Sequence, residues 1–361
     1  MGKMNKTYWQ KRSEQVIIDC EKISAQIERT KLKKAYQEAY KQIVQQINDV
    51  YAQLTQTGFS ADMAKALTSQ EKKVYAELVR AYNADAKKLG KNGDYRPLKT
   101  ASTIIKGSRL TAFKNQIEMQ LNLLAGKKEQ AVGDVKKEVY KHASYKTVFD
   151  LSQAKGAQVA FDKLSSKQVL QAIRSNWNGR NFSSDIWNDK TKLVNTLNQL
   201  IPQQFIIGTS TRDIAKQIKD KLNVSYRNAI RLARTETNFS ANQAMEKTYR
   251  RAGVEKYQVL ATLDSRTSEI CQEMDGYIGE LKNARVGENY PPFHPNCRTT
   301  TVPYLEDADE DEERIIRTSD GENYYSKNMS YSQWYELAIG GDKTKIPPVK
   351  KATDRAAEAI K

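Results

Sequence analysis

The chain has 361 residues, of which 39% are hydrophobic and 28% are charged, and its mean hydropathy is −0.74. A chain of this length can form two or more domains with ordinary cores. Its apolar runs are shorter than the roughly 18 to 20 residues of a membrane span, and the start MGKMNKTYWQKRSEQV lacks the apolar segment of a signal peptide. The composition therefore excludes a transmembrane protein and predicts folding in a reducing cytoplasm.

Basic residues exceed acidic residues by 16, and the excess is unevenly distributed. Residues 1–250 contain 44 Lys and Arg against 23 Asp and Glu, whereas residues 251–361 contain 15 against 20. Positive charge of this size favours a polyanionic partner, most often nucleic acid. The sequence has no recognition-helix, zinc-finger or RNA-binding signature, so we expect salt-sensitive, non-specific contact with double-stranded DNA. A solvated helical surface is the alternative interpretation of these charges.

Apolar residues at helical spacing predict long helices in the basic region, residues 1–150. The first stripe consists of Val16, Cys20, Ile23, Ile27, Tyr36, Tyr40, Ile43, Ile47, Val50 and Leu54. Steps of three and four residues mark one face of a helix and are close to a coiled-coil heptad. The nine-residue step from Ile27 to Tyr36 breaks the heptad. Packing in a bundle or between subunits is therefore predicted, rather than an uninterrupted coiled coil.

Two more helices are predicted in the basic region, followed by a connecting region at residues 151–200. The second helix has Met63, Leu67, Val74, Leu78 and Tyr82 on one face. The third runs from about residue 103 to residue 145. In the connecting region, SNWNGRNFSSDIWNDK (175–190) is rich in Asn, Ser and Asp between aromatic residues, which indicates a loop or short elements fixed by aromatic anchors.

A compact domain is predicted at residues 201–305. Ser210 or Thr211 is a typical helix cap, and a second helical pattern over 225–253 stops at Gly253. YQVLATL (257–263) has strand composition, and the next segment forms a short helix or turn that Gly276 closes.

Residues 306–361 form a tail that begins with the acidic run EDADEDEE (306–313). The predicted fold class is therefore α+β and predominantly α-helical, with long N-terminal helices followed by a small α+β C-terminal module.

Short motifs follow one another in residues 205–303. They are Arg234, Thr235 and Glu236 on a helix; Asp264, Ser265, Arg266 and Thr267 after a strand; Cys271; Asp275 and Gly276; and Pro291, Pro292, Phe293, His294, Pro295, Asn296, Cys297 and Arg298. In this order and spacing they resemble the phage head morphogenesis family, the minor capsid proteins similar to protein F of phage Mu. Many members have a further cysteine where this chain has Thr299.

The resemblance implies a non-enzymatic virion protein of a tailed bacteriophage, located at the portal vertex and capsid interior. It implies roles in procapsid assembly, in DNA packaging and in DNA delivery or ejection. The implied partners are the phage portal protein, the major capsid or scaffolding protein, and the packaged double-stranded DNA. Assembly would take place in the host cytoplasm, without a membrane.

The stretch YPPFHPNCRTT (290–300) allows three interpretations. In the first, Cys271, His294 and Cys297 are ligands of a structural zinc ion, because thiolate and imidazole are preferred zinc donors. Asp264, Asp275 or water would complete the tetrahedron. In the second, the prolines stiffen an extended loop that packs against the Asp264 segment.

The third interpretation is a metal-assisted nuclease or hydrolase site within residues 200–303. Glu236, Asp264 and His294 are the candidate acid, base or metal-binding residues. Arg234 and Arg266 would then hold a phosphate group. Ion pairs among these same residues are the structural alternative.

Overall fold

The computed structural model describes residues 6–53, 59–89, 108–155, 164–177, 179 and 181–304, and the backbone of three short strands beyond them. The helices are α1 (Lys6–Ile27), α2 (Lys33–Ala52), α3 (Phe59–Ala64), α4 (Ser69–Leu89), α5 (Arg109–Lys155), α6 (Ser166–Arg174), α7 (Phe182–Ile206), α8 (Thr211–Arg251) and α9 (Glu269–Glu273). None of these helices combines the length and apolar character needed to cross a membrane.

The chain folds into two compact units, each assembled from separated segments. The helical unit comprises Gln26–Asp134 and Arg180–Arg231, and the mixed unit comprises Met1–Ala25, Val135–Gly179 and Leu232–Lys361. Most described residues are helical and a small antiparallel sheet lies near the C-terminus, so the predicted α+β, predominantly α-helical fold class is confirmed. Four consecutive regions were predicted from the sequence, 1–150, 151–200, 201–305 and 306–361. Each of the two units instead combines segments from different parts of the chain.

The core of the helical unit is apolar and is supplied by its long helices. Its buried residues include Ile43, Ile47, Phe113, Ile117, Leu121, Leu197, Ile201, Phe205, Ile214 and Ile218. The rings of Phe59 and Phe205 stack with their centroids 4.6 Å apart. The predicted stripe over residues 36–50 thus faces a helix core.

A π-helical turn, Glu28–Leu32, separates α1 from α2. A π-helical turn holds more residues than an α-helical turn, so it shifts the faces of the helix that follows. Leu32 in this turn is fully buried, whereas Ile23 and Ile27 just before it are only half-buried. The turn therefore occupies the gap where the apolar stripe loses its heptad.

The prediction for the second stripe was wrong in its extent and at Val74 and Leu78, whereas the predicted Met63, Leu67 and Tyr82 are buried. Two helices, α3 and α4, replace the single predicted helix. Val74 and Leu78 are 48% and 42% exposed, whereas Tyr75 and Val79 are buried. Both sets have four-residue spacing, so periodicity alone does not choose between them. The set with the larger aromatic side chain, Tyr75, is the buried one.

The loop or short elements predicted at 175–190 were wrong from residue 182 onward, because α7 begins at Phe182. Asn181 caps this helix by accepting a 2.9 Å hydrogen bond from the backbone N–H of Ser183, and Asp185 lies in the first turn. Both are standard helix-start signals. The second part of that polar and aromatic pattern, residues 182–190, forms the beginning of α7.

The predicted pair of helices over 208–253 is one helix, α8. Ser210 caps it by accepting a 3.2 Å hydrogen bond from the backbone N–H of Asp213. The helix passes through residues 223–225 without a break and ends before Gly253, whose φ of +69° is favourable for glycine. The cap and the stop are confirmed, and the break between the two predicted helices is absent.

A three-stranded antiparallel sheet forms the centre of the mixed unit. Strand β1 (Lys256–Leu260) lies between β2 (Ile278–Glu280) and β3 (Thr300–Tyr304). Tyr257 on β1 is opposite Gly279 on β2, and a β-carbon at that glycine would come within 2.7 Å of the tyrosine ring. The predicted strand and the helical turn after it, α9, are confirmed.

A second antiparallel sheet contains β4 (Glu313–Arg317), β5 (Asn323–Lys327) and β6 (Lys350–Lys351). The acidic run predicted at 306–313 lies outside the described residues except for the backbone of Glu313.

Candidate metal centre

Two segments of the mixed unit bring the predicted cysteine and histidine residues together. Cys271 lies on α9, which follows β1, whereas His294 and Cys297 lie in the connection between β2 and β3. β1 pairs with β3 along five residues, and Leu260 at the end of β1 is opposite Thr300 at the start of β3. The segment that follows β1 and the segment that precedes β3 therefore lie side by side. The sheet thus positions the candidate ligands.

The three ligand atoms lie within 4.8 Å of one another. Cys271 Sγ is 3.1 Å from His294 Nε2 and 3.7 Å from Cys297 Sγ. Both cysteines are 2% exposed, and His294 is half-buried. Across the described part of the chain, no other His, Cys, Asp and Glu side chains form such a group. The cluster that the sequence predicted is assembled, and whether it binds zinc stays a prediction.

The hydrogen bonds of His294 fix the orientation of its ring. Nδ1 lies 2.8 Å from the backbone oxygen of Pro295, and Nε2 lies 2.7 Å from Ser268 Oγ. A proton on Nδ1 satisfies the carbonyl and leaves the lone pair of Nε2 directed at Cys271 and Ser268. Ser268, just before α9, is a member of this site that sequence analysis missed.

The two thiols have opposite pKa shifts. The hydrogen bond from Cys271 stabilises the thiolate of Cys297 and, with backbone hydrogen bonds at Phe293 and Thr299, lowers the pKa of Cys297 to about 6 although burial opposes this. The same hydrogen bond, followed by burial, raises the pKa of Cys271. The thiolate is therefore favoured on Cys297 over Cys271.

Asp264 is held by arginine rather than by the cysteine and histidine cluster. Arg298 grips both of its carboxylate oxygens, with a 2.6 Å contact from Nη2 to Oδ1, and the backbone N–H of Arg266 adds a 2.9 Å hydrogen bond. Burial alone raises the pKa of Asp264, but the hydrogen bonds and charge of Arg298 and Arg266 lower it to about 2. Asp264 is thus an ionised anchor for the loop.

Glu236 is paired with a lysine that sequence analysis missed. Lys136 Nζ lies 2.5 Å from Glu236 Oε2, and both side chains are 1% exposed. The ammonium also donates to the backbone oxygen of Ser175 at 2.9 Å and lies 5.1 Å from the ring centroid of Phe239. A sequence signal existed, since Lys136 interrupts the apolar stripe of α5. The structure gives Glu236, Asp264 and His294 three different sets of neighbours.

The remaining motif residues make local contacts that shape the loop and the end of β1. Thr235 Oγ1 accepts a 3.0 Å hydrogen bond from the backbone N–H of Asn296, and Thr267 Oγ1 donates to the backbone oxygen of Thr262 at 2.5 Å. Asp275 accepts from the backbone N–H of Ala261 at 2.9 Å. The backbone of these segments also contains a cis peptide bond between Pro291 and Pro292 and positive φ angles at Gly276 and Asn296. Arg234 and Pro295 are exposed.

Thr235, Asp264 and Arg298 connect α8, the segment after β1 and the proline-rich loop to one another. Residues 195–302 match the family described as Phage Mu protein F like protein. This match over part of the chain, together with the similarity to a phage minor head protein given below, confirms the resemblance to the phage head morphogenesis family that the motifs predicted.

Three curated relatives show where this similarity extends. The chain is 22% identical over 261 residues to the NAD(+)–arginine ADP-ribosyltransferase EFV of Enterococcus faecalis, covering 68% of this chain and 53% of that protein. It is 26% identical over 145 residues to an uncharacterized protein of Haemophilus influenzae, covering 40% of this chain and 32% of that protein. It is 24% identical over 302 residues to minor head protein GP7 of Bacillus phage SPP1, covering 74% of this chain and 92% of that protein. No solved structure matches the chain.

Proposed function

We propose that this phage head morphogenesis protein is a minor head protein that joins the procapsid at the portal vertex and contacts the packaged DNA. The observation that carries the proposal is the similarity to minor head protein GP7, which extends over 92% of that protein and 74% of this chain. That span is much longer than the motif region, residues 195–302. The proposed location is the virion interior, after assembly in the host cytoplasm.

The charge of the helical unit supports DNA as a partner. Gln26–Asp134 and Arg180–Arg231 together contain 28 Lys and Arg against 15 Asp and Glu, a net charge of +13 out of +16 for the whole chain. Contact with phosphates needs positive charge and no base-specific motif. The helical unit is therefore the part of the chain that we propose to contact the genome.

The contacts of the motif carboxylates support a structural role for the module. A general base or a metal ligand needs a carboxylate that can reach substrate or ion, whereas Glu236 is paired with Lys136 and Asp264 with Arg298. The transferase name belongs to the Enterococcus protein, and the chain spans only 53% of that protein. We therefore propose a scaffold rather than an enzyme.

The test of portal docking is co-purification of the tagged chain with procapsids assembled with and without the portal protein. We expect incorporation with the portal and its loss when the portal is omitted. Equal incorporation in both cases would assign the contact to the major capsid or scaffolding protein. A chain that never enters procapsids would contradict the proposed function.

A further inference from the structure

We propose that Cys271, His294 and Cys297 bind one zinc ion, with a fourth position open to water. The inference concerns the motif module alone and does not depend on the portal or on DNA. Its support is geometric: three donor atoms of the kinds that zinc prefers lie within 4.8 Å of one another.

The separation of the two sulfur atoms fits a shared tetrahedral ion. Two Zn–S bonds of about 2.3 Å at the tetrahedral angle place the sulfurs about 3.8 Å apart, and Cys271 Sγ lies 3.7 Å from Cys297 Sγ. A disulfide needs a separation of about 2.05 Å. The edge from Cys271 Sγ to His294 Nε2, at 3.1 Å, is shorter than the roughly 3.5 Å of a zinc site, so the ion would open this edge by a few tenths of an ångström.

The loop is built to keep the two later ligands in place. The backbone N–H of Cys297 donates to the backbone oxygen of His294 at 3.1 Å, which closes the turn between them. The backbone N–H of Asn296, inside that turn, is bonded to Thr235 Oγ1. Nδ1 of His294 is directed to the backbone oxygen of Pro295, so Nε2, which faces Cys271 and Ser268, is the ring nitrogen that would bind the metal.

The identity of the ion follows from the donors and from the nearby carboxylates. Asp264 is gripped by Arg298, and Asp275 accepts from the backbone of Ala261, so neither carboxylate joins the cluster. Two sulfurs and one imidazole select zinc over magnesium or calcium, which prefer oxygen ligands. His294 is half-buried whereas both cysteines are buried. The fourth position therefore faces solvent on the histidine side, beside the hydroxyl of Ser268.

The first measurement is the metal content of the full-length chain, purified under reducing conditions without a chelator. We expect about one zinc ion per chain and loss of most of it in Cys297→Ser. Cys20→Ser is the matched control, because Cys20 is a fully buried thiol of the same unit outside the cluster. This control should retain its zinc.

A second readout remains useful if Cys297→Ser folds poorly. Cobalt(II) added to the metal-free chain should produce the thiolate-to-cobalt absorption of a tetrahedral site, and His294→Gln, which leaves both cysteines in place, should weaken or remove it. Absence of zinc together with absence of cobalt absorption in the folded wild-type chain would overturn the proposal. So would a Cys271–Cys297 disulfide found by peptide mass analysis of the chain purified under those same reducing conditions.

Discussion

Lys136 and Glu236 are 100 residues apart in the sequence, yet their charged groups meet at 2.5 Å inside the mixed unit. Each side chain is 1% exposed. Burial lowers the pKa of Lys136, while the charge of Glu236 and the hydrogen bond between them raise it. Glu236, the last residue of the Arg-Thr-Glu motif, thus connects α8 to α5 within this unit through its ion pair with Lys136.

The first prediction concerns the removal of one charge from this pair. Lys136→Met should lower the free energy of unfolding by about 3–5 kcal/mol, because it leaves Glu236 buried without its counterion. Replacing both residues, as Lys136→Met with Glu236→Leu, should cost less than the single change, since no isolated charge remains. Urea unfolding followed by circular dichroism measures both effects.

The control for this pair is the neighbouring residue on the same helix. The side chain of Lys137 is 44% exposed and lies 3.7 Å from Glu138, so Lys137→Met should change stability by less than about 0.5 kcal/mol. An equally small effect of Lys136→Met would contradict a structural role for the pair.

The second prediction is acid destabilisation through Asp264. Its pKa is lowered in the folded chain from 3.8 to about 2. A lowered pKa means that the ionised carboxylate stabilises the fold above pH 4 and that this contribution is lost as the pH falls from about 4 to 2. The contribution is about 2 kcal/mol, from 1.36 kcal/mol per pKa unit.

The measurement is the free energy of unfolding as a function of pH for the wild type and for Asp264→Asn. The variant should be less stable at pH 7 and should lose less stability than the wild type between pH 4 and 2. Glu288→Gln provides the control, since the side chain of Glu288 is 69% exposed and its partner Arg285 is 74% exposed. Parallel pH curves for wild type and Asp264→Asn would refute the assignment.

The third prediction concerns the close approach of β1 and β2. Gly279→Ala should destabilise the mixed unit, because a new β-carbon would lie 2.7 Å from atoms of the Tyr257 ring. That ring cannot easily retreat, since its hydroxyl donates to the backbone oxygen of Asn289 at 2.8 Å. We expect a loss of about 1–3 kcal/mol, typical of overpacking.

Gly133→Ala tests the same change where space is free. Apart from the adjacent residues and the nearby backbone of α5 itself, no atom lies within 4 Å of the position of the new β-carbon, and alanine is favoured over glycine inside a helix by about 1 kcal/mol. This variant should raise the melting temperature, whereas Gly279→Ala should lower it. Equal melting temperatures for the two variants would show that the close approach is not rigid.

The fourth prediction concerns DNA. Binding to duplex DNA should weaken steeply with salt, and the affinity should be the same for unrelated sequences. Replacing the exposed Lys33, Lys34 and Lys41 of α2 by Gln should reduce the slope of log affinity against log salt by about one for each phosphate contact removed. Fluorescence anisotropy over a salt series measures this slope.

Matched neutralisations in the mixed unit provide the comparison for DNA binding. Lys282 and Arg285 are exposed there, and their replacement by Gln should leave the slope nearly unchanged. If both sets of substitutions had the same effect per charge, the proposal that the helical unit carries the contact would fail.

Sequence reasoning located what depends on local pattern. The cap at Ser210, the stop at Gly253, the strand and turn after α8, and the two cysteines and one histidine of the cluster were predicted from residue type, spacing and motif order. These features arise from the chain near each residue or from a known order of motifs. The location of Cys271 near Cys297 needed the motif order, since the two lie 26 residues apart.

Features that depend on distant partners were not readable. Tyr75 and Val79 have the same four-residue spacing as Val74 and Leu78. Only the residues that pack against α4 determine that the first pair is buried and the second exposed. Lys136 interrupts the apolar stripe of α5, but the residue that pairs with it, Glu236, lies 100 residues away and could not be named from the sequence. The polar composition around Asn181 hid a helix start, since Asn and Ser are equally common in loops and caps.

The order of segments in the mixed unit has a consequence for synthesis on the ribosome. Arg12, in the first helix, pairs with Asp150 at 2.6 Å, and strand β3 at residues 300–304 completes the sheet. The first segment of this unit thus leaves the ribosome long before the last. The mixed unit can therefore be completed only after β3 has been synthesised, although its first segment was made nearly 300 residues earlier.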